Sequence, residues 1–251
     1  SFKGTIQHSS QHEGPDAWTG KKVVVVGSNN SAHDICAALW EADADVTMVQ
    51  RSSTHIVRSD TLMDIGLGAL YSEEAVANGV TTEKADMIFA SLPYRIMHEF
   101  QIPLYDQMRE RDADFYAGLE KAGFDLDWGD DGSGLFMKYL RRGSGYYIDV
   151  GASELLADGK IKIKTGNIKR ITENSMIFDD ETELEVDLIV YATGGEIQFV
   201  PDEDVNGEIV FTYRVTDGRA TGTGQVVLDV APVNDGPRLS DDPVIAGTED
   251  T

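Results

Sequence analysis

Lysine disappears from this chain after Lys169, and cysteine occurs once, as Cys36. A single thiol excludes an internal disulfide, so no covalent staple organises the fold. Cys36 lies on an apolar helical face and reads as a core residue. Basic residues are few, 21 against 44 acidic ones, giving a net charge of -23. Such an excess of acid argues against nucleic acid and anionic membrane partners. No apolar run approaches the roughly 18 residues of a membrane-spanning helix, and no charged-then-apolar leader opens the sequence. The first residues, SFKGTIQHSS, read as the middle of something larger. Proline is also scarce, and four of the seven (Pro201, Pro232, Pro237, Pro243) lie beyond residue 200. What is present is an apolar fraction of 41% in 251 residues. That is enough for a packed core of one large or two smaller domains.

The composition changes near Gly195. Before it, lysine, arginine, methionine, leucine and acids are mixed. From Val200 onward there are eleven acidic residues against three arginines. Alternating Val, Thr, Tyr and Phe in EIVFTYRVTDG and TGQVVLDVAPV, with a turn at Asp217-Gly218, predict antiparallel strands. The earlier part predicts a strand at 23–27, a helix at 30–43 and a strand at 45–49. Helices scatter from about 61 to 122. Strands follow near 161–164, 167–172 and 175–178, and a buried one near 187–191. Strands alternating with helices predict an α/β fold with a parallel sheet. A short antiparallel β appendage follows it.

The chemistry-bearing stretch is VVVVGSNNSAHDI, Val23 to Ile35. A β-branched run ends in Gly27, and a helical pattern follows. A pyrophosphate held at a helix N-terminus needs backbone N–H groups and no intervening side chain. Gly27 suits the tight turn, and Ala32 is small enough for close helix–strand packing. Asn29 stands where a glycine normally lets the backbone approach the phosphates. Ser28, Asn30 and Ser31 complete the turn. Taken alone, the motif fits either a nucleotide site or a plain buried βα unit. Two features favour the nucleotide. Arg51, followed by Ser52 and Ser53, stands at the end of the next strand, where a site for NAD would place an acid. A guanidinium with hydroxyls suits a ribose 2′-phosphate. The second feature is DLIVYATGG, a buried strand ending in Ala192, Thr193 and Gly194.

Together, FKGTIQHSS and KKVVVVGSNNSAHDI resemble the flavin-containing monooxygenases. Their fingerprint, Phe-x-Gly-x-x-x-His, is filled by Phe2, Gly4 and His8. An aromatic expected four places later is His12 here, a departure from the pattern. The resemblance covers residues 1–195 and implies a Rossmann-like domain with a helical insertion. It implies NADP(H) bound by Gly27, Ser28, Asn29, Asn30, Ser31, Ala32, Arg51, Ser52, Thr193 and Gly194. It also implies FAD in the complete enzyme, reduced by NADPH before a soft nucleophile is oxygenated. The family's FAD sits on an earlier Gly-x-Gly-x-x-Gly unit, and this chain has no second strand–glycine–helix unit. GDDGSGLF, residues 129–136, has glycines without a preceding strand and is predicted to be a loop. The expectation is an NADP(H)-binding portion that is inactive alone.

Other candidates have plainer readings. His12, His33, His55 and His98 show no metal spacing and are expected to be structural or solvated. The helical run EKADMIFASLPYRIMHEF, 83–100, is expected to pack in the core. The acid clusters RERDAD and DLDWGDD are expected to form solvated faces.

Residues 196–251 resemble the second half of a cadherin-like tandem repeat of bacterial surface proteins. Pro201, Gly207, Phe211, Tyr213, Val215, Asp217, Gly218 and Pro232 to Pro237 fit its pattern. That resemblance implies a partial β-sandwich with calcium at Asn234 and Asp235, helped by Glu249 and Asp250. A half-repeat supplies too few oxygens for tight binding. The chain therefore reads as composite, with two functions in view. One is the NADP(H)-binding part of a flavin-dependent monooxygenase, cytoplasmic by resemblance. The alternative is an extracellular, calcium-linked adhesion or spacer module. No feature specifies an oligomeric state.

Overall fold

The computed structural model describes residues 2–193, and the backbone of residues 207–216 and 221–230. Val23 to Val26 are each at most 2% exposed. They lie in β2 (Lys22–Val26), the central strand of a five-stranded parallel sheet. Both faces of such a strand are covered, which is why its sequence is continuously apolar rather than alternating. The chain enters the sheet through β1 (Thr5–His8), then β2, α1 (Asn30–Glu41) and β3 (Asp45–Gln50). The spatial order is β1-β10-β2-β3-β6, with β6 at Lys162–Thr165 and β10 at Leu188–Tyr191. The predicted strands at 23–27, 45–49 and 187–191 are present within a residue or so. The predicted helix 30–43 ends at Glu41, because the chain turns at Asp43 in the left-handed region (φ 62°).

Successive side chains of a strand point to opposite faces. Val23, Val25, Val46 and Met48 pack with Ala32, Cys36 and Leu39 of α1. Val24, Val26 and Val49 face the other way, onto Met176 and Phe178. Those two belong to a three-stranded antiparallel sheet, β7 (Ile168–Ile171), β8 (Ser175–Phe178) and β9 (Glu183–Glu185). Each such fully buried aliphatic side chain contributes about 1.5–3 kcal/mol. Cys36 is buried and unpaired, as expected of a core residue.

The insertion between β3 and β6 is larger and more structured than its sequence suggests. Strand β4 (His55–Arg58) pairs in parallel with β5 (Tyr146–Asp149). Between them lie α2 (Ser59–Thr61), a π-helical turn at Leu62–Leu67, α3 (Glu73–Ala77), α4 (Thr82–Ser91), α5 (Tyr94–Arg111), α6 (Ala113–Lys121) and α7 (Gly134–Arg142). Helix α8 (Ala152–Ala157) returns the chain to β6. Helix α7 starts inside the stretch expected to be a loop. Residues 129–133 do form that loop, and Gly134 opens the helix at φ 66°, pressed against the Tyr105 ring.

The apolar run 83–100 does not enter the core as expected. Met87 is 74% exposed and Phe100 54%, while Ala85 and Met97 are buried. Helix α5 instead buries Met97, Gln101, Tyr105 and Met108, a stripe at helical spacing on its other side. Beyond residue 193, β11 (Gly207–Thr216) and β12 (Thr221–Val230) form one antiparallel ladder, as the alternating pattern predicts. No helix among the described residues is long and apolar enough to cross a membrane.

Candidate nucleotide-binding site

The carboxyl ends of β10, β2 and β3 lie side by side, because these strands are neighbours and parallel. The strand order reverses direction at β2: β3 follows on one side, and β10 lies on the other. Ligands of open α/β sheets bind in the crevice at such a switch point. Gly27 leaves β2 at φ 132°. A Cβ there would lie 2.4 Å from the Ala192 carbonyl oxygen. Both conformation and space therefore require glycine. The Gly27 N–H donates to the Val49 carbonyl at 2.9 Å, which pins the turn between the two neighbouring strands.

Helix α1 begins at this turn. Asn29 is its N-cap in extended conformation, yet its side chain makes no capping bond. No acid occupies the first turn. A helix start leaves backbone N–H groups without intrahelical partners and carries a partial positive charge. Here those donors have no side-chain cap. The Asn29 carbonyl accepts from the His33 N–H at 3.1 Å and lies 3.1 Å from the His33 ring Nδ1. The His33 ring is buried, stacks on Tyr147 at 3.8 Å, and burial pushes its pKa down to about 4. A neutral imidazole so placed fixes the loop rather than exchanging protons with a ligand.

The other predicted residues divide into engaged and open groups. Ser28 is buried, with its hydroxyl 2.6 Å from that of Thr54. Asn30 accepts from the Ile148 N–H through its side-chain oxygen at 3.1 Å. Ser31 and Ser52 are exposed, and Ala32 is fully buried under the helix. Arg51 is exposed just past β3, and among the described residues it has no ion pair or hydrogen-bond partner. Thr193 is exposed just past β10. Gly194, Asn234 and Asp235 lie outside the described residues. The structure thus brings the residues from Gly27 to Ala32, Arg51, Ser52 and Thr193 to one end of the sheet.

The fingerprint residues lie at the edge strand. A Cβ on Gly4 would meet the Asp187 carbonyl oxygen at 2.4 Å and the Phe2 ring at 2.6 Å. Phe2 packs on the Val24–Phe178 side of the sheet. His8 caps the short turn after β1, its Nδ1 accepting from the Ser10 N–H at 3.3 Å. These three shape the approach to the sheet.

One feature of the site has no signal in the sequence. DLDWGDD, expected to be solvated, runs beside the Arg51 loop. Lys138, only 6% exposed, ion-pairs with Asp127 of that stretch. Burial opposes ionisation of Asp127, but Lys138 and the Gly129 N–H outweigh it and hold its carboxyl below the usual range. The pair is eleven residues apart across a glycine loop, a spacing that no helical or strand period picks out. His55 is likewise buried, with its Nδ1 2.8 Å from the Asp127 carbonyl oxygen. The described residues hold no cluster of metal-ligating side chains.

Residues 1–108 match the family model described as pyridine nucleotide-disulphide oxidoreductase. The probable indole-3-pyruvate monooxygenase YUCCA10 of Arabidopsis thaliana is 26% identical over 195 residues. That alignment covers 77% of this chain and 43% of the relative. Dimethylaniline monooxygenase [N-oxide-forming] 2 of Macaca mulatta is 30% identical over 218 residues, covering 85% of this chain and 35% of the relative. The segment resembles the flavin-containing monooxygenases. Among solved structures, the open form of cyclohexanone monooxygenase aligns at 16% identity and TM-score 0.49, over 77% of this chain and 44% of that one. This monooxygenase-like chain spans less than half the length of each of those relatives. Residues 156–229 match a bacterial Ig domain model. Its first part overlaps β6 and β10, which complete the parallel sheet, and its end coincides with β11 and β12. Immunoglobulin-type and cadherin domains share the sandwich architecture expected for the tail.

Proposed function

We propose that residues 1–195 bind NADP(H) and form the nicotinamide-binding portion of a flavin-dependent monooxygenase. The observation that carries this reading is the uncapped start of α1 at the switch point, with Arg51, unpartnered among the described residues, at the end of the neighbouring strand. The turn from Ser28 to Ala32 offers N–H groups to the pyrophosphate. Arg51 and Ser52 take the 2′-phosphate, and Thr193 lines the crevice on the β10 side. When bound, NADPH supplies a hydride to the flavin of the complete enzyme. The protein's share is to hold the dinucleotide: Gly27 allows close approach, and His33 and Ser28 keep the loop in shape. Residues 196–251 act as a partial β-sandwich spacer, with calcium at Asn234 and Asp235 at most weakly held. The bacterial Ig match supports a second reading, in which the whole chain belongs to an extracellular spacer protein. The monooxygenase reading places the first part in the cytoplasm.

Isothermal titration of the full chain with NADPH and NADH tests the reading. A charge-assisted contact to the 2′-phosphate is worth roughly 1.5–3 kcal/mol. NADPH should therefore bind more tightly than NADH, and Arg51→Ala should remove most of the difference. The same preparation should be colourless: contrary to the sequence expectation, β5 does lead through Gly151 into α8 as a second strand–glycine–helix unit, but its turn, DVGASE, lacks the Gly-x-Gly-x-x-Gly of a flavin site. Equal affinities in the wild type would refute the assignment, and a yellow, flavin-loaded protein would overturn its division into halves.

A further inference from the structure

Residues 125–127 run alongside the Arg51 loop and lace it at both ends. The Gln50 side chain donates to the Asp125 carbonyl at 3.0 Å and accepts from the Asp125 N–H at 2.8 Å. The Thr54 N–H donates to the Asp125 carbonyl at 3.0 Å, and the Asp127 N–H donates to the Thr54 carbonyl at 3.1 Å. Between these anchors the Ser53 hydroxyl donates to the Asp127 carboxylate at 3.2 Å. A carboxylate thus stands one hydrogen bond from Ser53, two residues along from Arg51. Left alone, that acid would repel a phosphate drawn to the loop that carries Arg51 and Ser53. Arg51 remains unpartnered among the described residues, and the acid is paired with Lys138, itself buried. A buried ion pair is weak evidence for stability, whereas removing one partner strands the other charge.

We propose that Lys138 is a specificity-determining residue of the nucleotide site. By neutralising Asp127 it keeps the loop that carries Arg51 and Ser53 acceptable to a 2′-phosphorylated dinucleotide. This rests on the NADP(H) reading above. Lys138 lies in the insertion, on α7, more than eighty residues from Arg51 in sequence. The cation that sets the preference at a distance thus comes from a different part of the chain than the cation that touches the phosphate.

The test measures dissociation constants for NADPH and NADH on the full chain carrying Lys138→Met, Lys138→Arg, Asp127→Asn, or Asp127→Asn with Lys138→Met. Lys138→Met should lower the NADPH preference by about fivefold or more, through one unscreened like charge near the phosphate. NADH binding should be unchanged. Lys138→Arg should keep the preference. Asp127→Asn, which retains an acceptor for Ser53, should keep it too, and the double variant should restore what Lys138→Met loses. An equal loss of both cofactors in Lys138→Met, an unchanged ratio there, or a double variant no better than the single would overturn the proposal. If Lys138→Met does not fold, a lowered preference in Asp127→Asn would overturn it instead. A wild type without NADPH preference removes the NADP(H) reading and this proposal together. A wild-type preference that depends on Arg51 but ignores Lys138 removes the proposal alone.

Discussion

Gly27 shows how a single position ties the sheet to its proposed ligand. Its φ of 132° lies in a region that L side chains avoid, and a Cβ would collide with the Ala192 carbonyl oxygen. The collision is with backbone of a neighbouring strand, so a side chain cannot be accommodated by rotation. Gly27→Ala must push β2 from β10 or bend the turn, at a cost on the order of 1–3 kcal/mol. The same shift would misplace the N–H groups at the start of α1. The variant should therefore lower the urea midpoint and also weaken NADPH and NADH alike, because the pyrophosphate is common to both. Chemical denaturation paired with calorimetric titration distinguishes this from Arg51→Ala, which should affect NADPH selectively. Asn29 behaves differently: its backbone is extended and unstrained, so the missing second glycine costs the turn nothing conformationally.

At the scale of elements, β2, α1 and β3 were legible because each has one strong local period. A continuous β-branched run, an apolar stripe at helical spacing and a second buried run leave few alternatives. The β4–β5 pair was not legible, since its partners are about ninety residues apart and each strand is only four residues long. The lacing of residues 50–55 to 125–127 was hidden for the same reason: polar contacts between distant segments have no sequence period. Helices α4 and α5 were misread in phase. Met and aromatic residues do recur at i, i+3 and i+4, but the insertion has little core to offer them. The buried side is marked by Met97, Gln101, Tyr105 and Met108 instead. The phase can be tested directly. Phe100→Ser should change stability by no more than about 0.5 kcal/mol, as surface substitutions do. Met97→Ala should cost about 2–5 kcal/mol. Equal costs for the two in urea unfolding would mean that Phe100 is covered in solution.

Among the described residues, two fully buried imidazoles titrate against the fold. His33 and His55 are both fully buried, and burial lowers each pKa to about 4. An unfolded chain would bind protons at these residues near pH 6.5. Their folded pKa values are depressed, so the unfolded state takes up protons first as pH falls. Stability is therefore complete above about pH 6.5 and lost progressively toward pH 4, at roughly 1.4 kcal/mol per pH unit for each histidine. Two such groups remove several kcal/mol, a large share of a domain's usual 5–15. Asp127, whose carboxyl is held below its usual range, adds a loss of the same sign only at lower pH. The molecule should thus be markedly acid-labile well before its carboxylates protonate. Trp18, Trp40 and Trp128 all report on this part of the chain, so urea unfolding followed by tryptophan fluorescence at pH 7, 5.5 and 4.5 measures the slope. His33→Phe keeps an aromatic ring against Tyr147 but removes one titrating group. It should flatten the dependence by about one proton's worth between pH 6.5 and 4, whatever it does to stability at pH 7. A wild type equally stable at pH 7 and 4.5, or a variant with an unaltered slope, would show that His33 gains its proton without unfolding.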